Sequence, residues 1–190
     1  MTDGPSATHA AILDATFTLI GQVGIGKLAL EDVAAEAGVS RQTVYRHFGS
    51  RDGLLSAIIV REEEALLALV DEATDGVEDL ESAVHLGLAA ALRGAQEHPL
   101  LQRLLVSEPD MLLPFLTLGT GPVLSIIGPA IAEVVTRRAP ALAPDALDFL
   151  GDAIGRVVVS YAISPRDDID DTARRLAEMV AGYIDSATQD

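Results

Sequence analysis

The sequence contains no cysteine and no tryptophan. Without cysteine there are no disulfides, no thiolate nucleophiles and no cysteine-ligated metals. Aromatic residues make up only 4% of the 190-residue chain, although hydrophobic residues make up 49%. The apolar mass is therefore Ala, Leu, Val and Ile, which favours helices packed closely on helices. No apolar run reaches the roughly 20 residues that a bilayer span needs. The longest, GPVLSIIGPAIAEVV, is broken by Gly, Pro and Glu. The opening residues MTDGPSATHAAILDA lack the basic start of a secretory leader. These features lead us to expect a cytoplasmic protein with no membrane partner. Basic residues are scarce too, 13 Lys and Arg against 29 Asp and Glu, for a formal net charge of -16. That balance works against non-specific attraction to nucleic acid.

What is present is helical periodicity. HAAILDATFTLI spaces Ile12, Leu13, Phe17 and Ile20 along one helix face, and GQVGIG ends the run. LEDVAAEAG predicts a short second helix with acids in its first turn and Gly38 as its stop. Ser40 suits the N-cap of a third, RQTVYRHF, which Gly49 ends. Ser50 opens a long fourth, RDGLLSAIIVREEEALLALVDEA. Beyond Gly76 the pattern stays helical to the end, with prolines mostly at helix starts. Pro114 and Pro129 fall inside apolar segments, where they kink or split a helix. VVVSYAI is the best strand candidate, but it continues a helical pattern from Phe149.

Catalytic and metal signatures fail on inspection. Gly21 to Lys27 fits the G-x-x-x-x-G-K spacing, yet Leu28 stands where magnesium needs Ser or Thr, and a helix rather than a strand precedes it. His9, His47, His85 and His98 have no partner at metal-ligand spacing. Glu62-Glu63-Glu64 and Asp167-Asp168 read as solvated faces or helix starts. No cofactor, metal or enzymatic activity is expected.

Residues 39–51, VSRQTVYRHFGSR, break the acidic trend with three arginines, one histidine and no acid. Two short helices meet here at an Ala-Gly-Val-Ser turn, the geometry of a helix-turn-helix whose second helix enters the major groove. Val44 and Phe48, four apart, would face the core. Gln and Arg read adenine and guanine edges, and a Thr methyl meets thymine. Ser, Tyr, His and Arg hold phosphates. An acid in this segment would meet the DNA backbone and weaken binding.

The run from Val33 to Leu54, VAAEAGVSRQTVYRHFGSRDGL, resembles the DNA-binding signature of the TetR family of bacterial transcriptional regulators, as do Ile12 to Ala15 and Gly24. The resemblance covers about residues 8 to 60. It implies an all-α fold with a three-helix DNA-binding domain at 1–52. A long helix joins this to a helical ligand-binding and dimerisation domain at 53–190. It also implies a homodimer on a near-palindromic double-stranded DNA operator, most simply a repressor, released by a small ligand. By that resemblance Tyr45 and His47 hold phosphates, beside Ser40. Arg51, standing where the family usually has lysine, lies near the backbone. Gln42, Thr43 and Arg46 read bases, with Arg41 unassigned between the two roles. Two departures stand out. Ala29 replaces the Thr or Ser that often caps the second helix, and the N-terminal arm MTDGPSATHA carries no Lys or Arg. Residues 1–60 hold only Lys27, Arg41, Arg46 and Arg51 against six acids, so few phosphate contacts are expected.

In the C-terminal part, prolines and glycines within apolar helices leave room for a mostly apolar cavity. Gln102, Arg103, Ser107 and Glu108 are the candidate polar anchors for a hydrophobic ligand. Leu147, Leu150, Ile154, Val158 and Tyr161, with Leu176, Met179 and Tyr183, are candidates for a dimer face on the last two helices. The competing reading is a helical carrier of lipid-like molecules, or an enzyme with a lipid site, that retains a vestigial helix-turn-helix. Specific DNA binding separates the two.

Overall fold

A computed structural model of the chain describes residues 7–117, 122–165 and 168–188. Most of the N-terminal arm, Leu118 and Asp167 lie outside the described residues. Ten helices and no strand occur among those residues. They are α1 Ala7–Val23, α2 Leu30–Glu36, α3 Arg41–Phe48, α4 Arg51–Thr74, α5 Leu80–Glu97, α6 Pro99–Ser107, α7 Pro109–Thr117, α8 Pro122–Thr136, α9 Pro144–Ile163 and α10 Ile169–Ala187. VVVSYAI lies within α9.

Helix ends follow cap chemistry. Ser40, Ser50, Asp79 and Asp168 each accept a hydrogen bond from the backbone N–H three residues on, opening α3, α4, α5 and α10. Ala29 opens α2 with no side-chain cap, as its residue type dictates. A cap of that kind is worth about 1 kcal/mol, so α2 is held by packing. Leu30, Val33 and Ala34 are buried against α1 and α3. Gly38, at φ 67°, makes the sharp turn between α2 and α3 that a β-carbon would strain.

Two apolar cores result. The first gathers Ile12, Ile20, Val33, Val44, Leu54 and Ile58 with their neighbours, and also takes in Leu100, Leu104 and Leu112 from α6 and α7. The second joins α5, α8, α9 and α10 through residues such as Leu88, Leu92, Val135, Ile154, Leu176 and Val180. α4 runs from the first core to the second. Its first turns, at Leu54, Leu55 and Ile58, belong to the N-terminal core, so that core continues past residue 52. At its other end Arg138 donates to the Thr74 and Val77 carbonyls, each at 2.8 Å, tying α8 to the negative end of α4. α8 and α9 cross closely at Gly128 and Gly151, where a β-carbon on Gly151 would lie 2.6 Å from the Gly128 carbonyl oxygen.

Candidate nucleic-acid interface and ligand cavity

α3 is anchored by Val44, which is fully buried, and by Phe48, which packs against the first core. At 100° per residue, Gln42 and Arg46 point about 160° away from Val44, straight out from the domain. Both are exposed, as are Ser40, Arg41 and Tyr45, while Thr43 and His47 are half-buried. Seven of the expected contacts therefore share one helix and its cap. The Ser40 hydroxyl accepts from the Thr43 N–H and shares a 2.9 Å hydrogen bond with the Thr43 hydroxyl, so it is held as a cap. Arg41 donates to the Tyr45 hydroxyl at 3.2 Å, lies over its ring, and pairs with Glu31 of α2 at 2.6 Å. The Tyr45 hydrogen bond and then Glu31 favour its charged form further. Arg46 has no ion pair among the described residues. His47 meets His9 edge-on, and His9 stacks on Phe48 with ring centroids 4.6 Å apart. Burial and then the neighbouring His47 lower the His9 pKa, which keeps His9 neutral.

Arg51 is placed differently from the expectation. Its guanidinium turns inward, donating to the Leu28 carbonyl at 3.0 Å and to the Ile25 carbonyl, so it ties down the α1–α2 loop. Charge-assisted hydrogen bonds of this kind are worth about 1.5–3 kcal/mol each. Arg51→Ala is expected to lower stability by roughly 2–4 kcal/mol and to leave the salt dependence of DNA binding unchanged. Urea unfolding and a salt titration check this. A salt slope that falls by about two, one per protomer, with stability intact would return Arg51 to the phosphate backbone.

The G-x-x-x-x-G-K segment closes the end of α1 and the loop after it, and the backbone there faces a carboxylate. Glu108 accepts from the Gly26 N–H at 3.0 Å, and a β-carbon on Gly24 would run into the same carboxylate. Arg103 donates to the Gln22 carbonyl at 3.2 Å. Gln102 donates to the Ala95 carbonyl, and Ser107 is exposed. These four residues therefore do not line the cavity described next. Arg103 and Glu108 instead bind α6 and the α6–α7 link to the DNA-binding unit. Helical phase explains the difference: Leu100, Leu101 and Leu104 take the inward face of α6.

A cavity of ≈ 190 Å³ lies among α4 to α9, with Ile20 and Ile25 of the N-terminal unit closing one side. Among its described lining residues only Glu62, Glu63 and His98 carry polar side chains. His98 caps α6, its Nδ1 accepting from the Leu101 N–H at 3.1 Å, and its Nε2 lies 3.2 Å from Glu62. Burial alone would raise the Glu62 pKa, but hydrogen bonds from His98 and Arg61 outweigh it and hold the pKa below the usual range. Glu63 is 8% exposed, and neither carboxyl oxygen has a hydrogen-bond partner among the described residues. Burial pushes its pKa up to about 8. The expectation that the three glutamates form a solvated face holds for Glu64, which is exposed, and fails for Glu63. The signal was in the helical phase: Glu63 sits four residues from both Ile59 and Leu67, on the apolar stripe.

The expected dimer face divides as well. Leu150, Ile154, Val158 and Leu176 are buried in the chain's own second core and are unavailable to a partner. Leu147, Tyr161 and Tyr183 are half-buried. Met179 is 64% exposed; Phe149, which sequence reasoning did not single out, is 62% exposed and touches the Tyr183 ring.

A recognition helix on a three-helix unit, coupled through a long helix to a helical body with an apolar cavity, defines a helix-turn-helix regulator. Residues 12–58 match the family model described as bacterial regulatory proteins, tetR family, and residues 79–182 match that of the bacterial tetracyclin repressor C-terminal domain. The chain is 30% identical over 178 residues to the HTH-type transcriptional regulator AlkX of Mycobacterium tuberculosis, covering 92% of this chain and 84% of that one. The crystal structure of the TetR family repressor AlkX from a Dietzia strain, implicated in biodegradation of n-alkanes, superposes with a TM-score of 0.77 at 25% identity, covering 98% of this chain and all of that one. The R. erythropolis transcriptional repressor QsdR shares the fold, with a TM-score of 0.69 at 20% identity over 94% of this chain and 96% of that one. The chain belongs to the TetR family of bacterial transcriptional regulators. Among the described residues no helix is long and apolar enough to cross a membrane.

Proposed function

We propose that the chain is a cytoplasmic, non-enzymatic repressor that binds a near-palindromic operator as a homodimer and leaves it when a small hydrophobic ligand fills the cavity. Residues 1–52 carry the DNA-reading helices and 53–190 the ligand-binding and dimerisation helices, with the first turns of α4 packed into the DNA-binding core. Gln42, Thr43 and Arg46 read bases, while Ser40, Arg41, Tyr45 and His47 sit toward the phosphates. The observation that carries this reading is the shared wall: Ile20, Ile25, Leu55 and Ile58 belong to the DNA-binding core and also line the cavity. A ligand that displaces this wall moves the base of the recognition unit, so occupancy and DNA affinity are linked. The n-alkane context of the Dietzia relative agrees with a cavity lined almost wholly by aliphatic side chains. The carrier alternative is disfavoured, because the relatives are transcriptional regulators and α3 presents an acid-free outer face.

Selection from random duplexes with the purified protein should enrich a near-palindrome. A single half-site, or no enrichment, would contradict the dimeric reading. Phe149 and Met179 are the exposed apolar residues of α9 and α10 that support a four-helix dimer face. Phe149→Asp with Met179→Asp should give a monomer by sedimentation velocity and weaken operator binding about 100-fold or more, since each half-site then binds alone. A dimer that survives both changes places the interface elsewhere.

A further inference from the structure

Among the described residues Glu63 is the one lining side chain whose polar atoms have no hydrogen-bond partner. Both oxygens are buried and unpartnered. Every described neighbour on the cavity wall is aliphatic or aromatic, apart from Glu62 and His98. Those two satisfy each other. His98 accepts at Nδ1 from the α6 backbone, so Nε2 carries the proton that faces Glu62. Arg61 holds Glu62 from the other side at 2.9 Å and reaches on to Asp14 of α1 at 2.7 Å. Neither ring nitrogen of His98 is left to meet a ligand.

A buried polar group without a partner is unfavourable unless something supplies the missing hydrogen bond. We propose that the cavity selects an uncharged amphiphile, an apolar body carrying a single hydroxyl or carbonyl oxygen, and that Glu63 is the side chain that recognises that oxygen. The inference rests on the reading of the cavity as the ligand site and names the ligand class it takes. Three head-group charges are possible, and the wall discriminates among them. A carboxylate head would find no Lys or Arg on the wall and would face the ionised Glu62. An ammonium head would need Glu63 ionised as well, because the Glu62 carboxylate is already engaged by His98 and Arg61. Burying both ions is strongly unfavourable unless their remaining hydrogen-bonding groups are also satisfied. Glu63 offers two oxygens to three ammonium donors, and the rest of the wall offers almost no acceptor. A neutral hydroxyl needs neither ion. Burial keeps Glu63 protonated at neutral pH, so its O–H donates to the ligand oxygen while its C=O accepts from a ligand O–H.

The test is isothermal titration calorimetry on the full-length protein with 1-decanol, decylammonium and decanoate, using wild type, Glu63→Gln and Glu63→Leu. Unfolding curves establish that both variants fold. Wild type should bind 1-decanol more tightly than either ion. Glu63→Leu should weaken 1-decanol about tenfold, the worth of one hydrogen bond to a buried partner. Glu63→Gln, whose amide both donates and accepts, should stay within about threefold of wild type. Tighter binding of either ion overturns the uncharged head. Undiminished 1-decanol binding by Glu63→Leu removes Glu63 as the recognising group and leaves the cavity a ligand site. Failure of all three probes on every protein removes the ligand-site reading and this inference with it.

Discussion

Arg46→Ala is expected to weaken operator binding by about 2–6 kcal/mol, roughly thirtyfold to twenty-thousandfold, because a base-reading arginine is worth about 1–3 kcal/mol and a dimer loses two. Arg46 is the better choice over Arg41 for this test. Arg41 is already engaged by Glu31 and Tyr45, whereas Arg46 is exposed, points outward beside Gln42, and has no ion pair among the described residues. The loss should be uneven across sequence. Single-base variants of the operator at the position Arg46 reads should bind the alanine protein about equally, while the wild type discriminates among them. Tyr45→Phe should behave differently, weakening all sequences alike, as loss of a phosphate contact does. Competition anisotropy with a panel of operator variants checks both. A uniform loss for Arg46→Ala would make it a phosphate contact and leave base reading to Gln42 and Thr43.

Glu63→Leu is expected to stabilise the fold, and Glu63→Gln to remove a pH dependence. The carboxyl has an ordinary value of 4.5 when unfolded and about 8 when folded. Below pH 4.5 both states hold the proton, and folding gains or loses nothing through it. As pH rises from 4.5 toward 8 the unfolded chain releases the proton into water while the folded chain retains it, so the unfolded state gains. The loss of stability across that window is on the order of 4 kcal/mol. Urea midpoints between pH 5 and 8.5 should fall with pH for wild type relative to Glu63→Gln. The variants should be the more stable proteins at pH 8. Parallel profiles would mean that the Glu63 carboxyl finds solvent or a partner in solution.

The elements that could be read from the sequence are those set by local chemistry. Ser40, Gly49 and Ser50 bound α3 and open α4 because cap and stop residues act within a turn of themselves. The α3 segment RQTVYRHF was legible to the residue for that reason. The family signature covers the same region. What could not be read was the direction each helix face takes once packed. Arg51 looked like a cation beside the DNA, yet the α1–α2 loop sets the Ile25 and Leu28 carbonyls within its reach. The polar side chains of α6 looked like anchors in an apolar segment, yet the leucines take the inward face and Arg103 and Glu108 turn to the other unit. On α9, alternate apolar residues split between the chain's core and an exposed patch, so Leu150 and Ile154 are buried while Phe149 is bare. Glu63 was missed because three adjacent glutamates read as solvated, although its helical phase lay on the apolar stripe. Each miss is a question of facing decided by tertiary packing.

The central claim is that an acidic chain reads DNA through one short basic helix. The direct test is fluorescence anisotropy of the full-length protein against duplex DNA from its own upstream region and a scrambled duplex, at several salt concentrations. Saturable binding that exceeds the scrambled duplex is expected. The salt slope should be shallow, because Arg51 is turned inward and few cations remain to release counterions. Equal binding to both duplexes, or none to either and none in the random-sequence selection, would contradict the central claim.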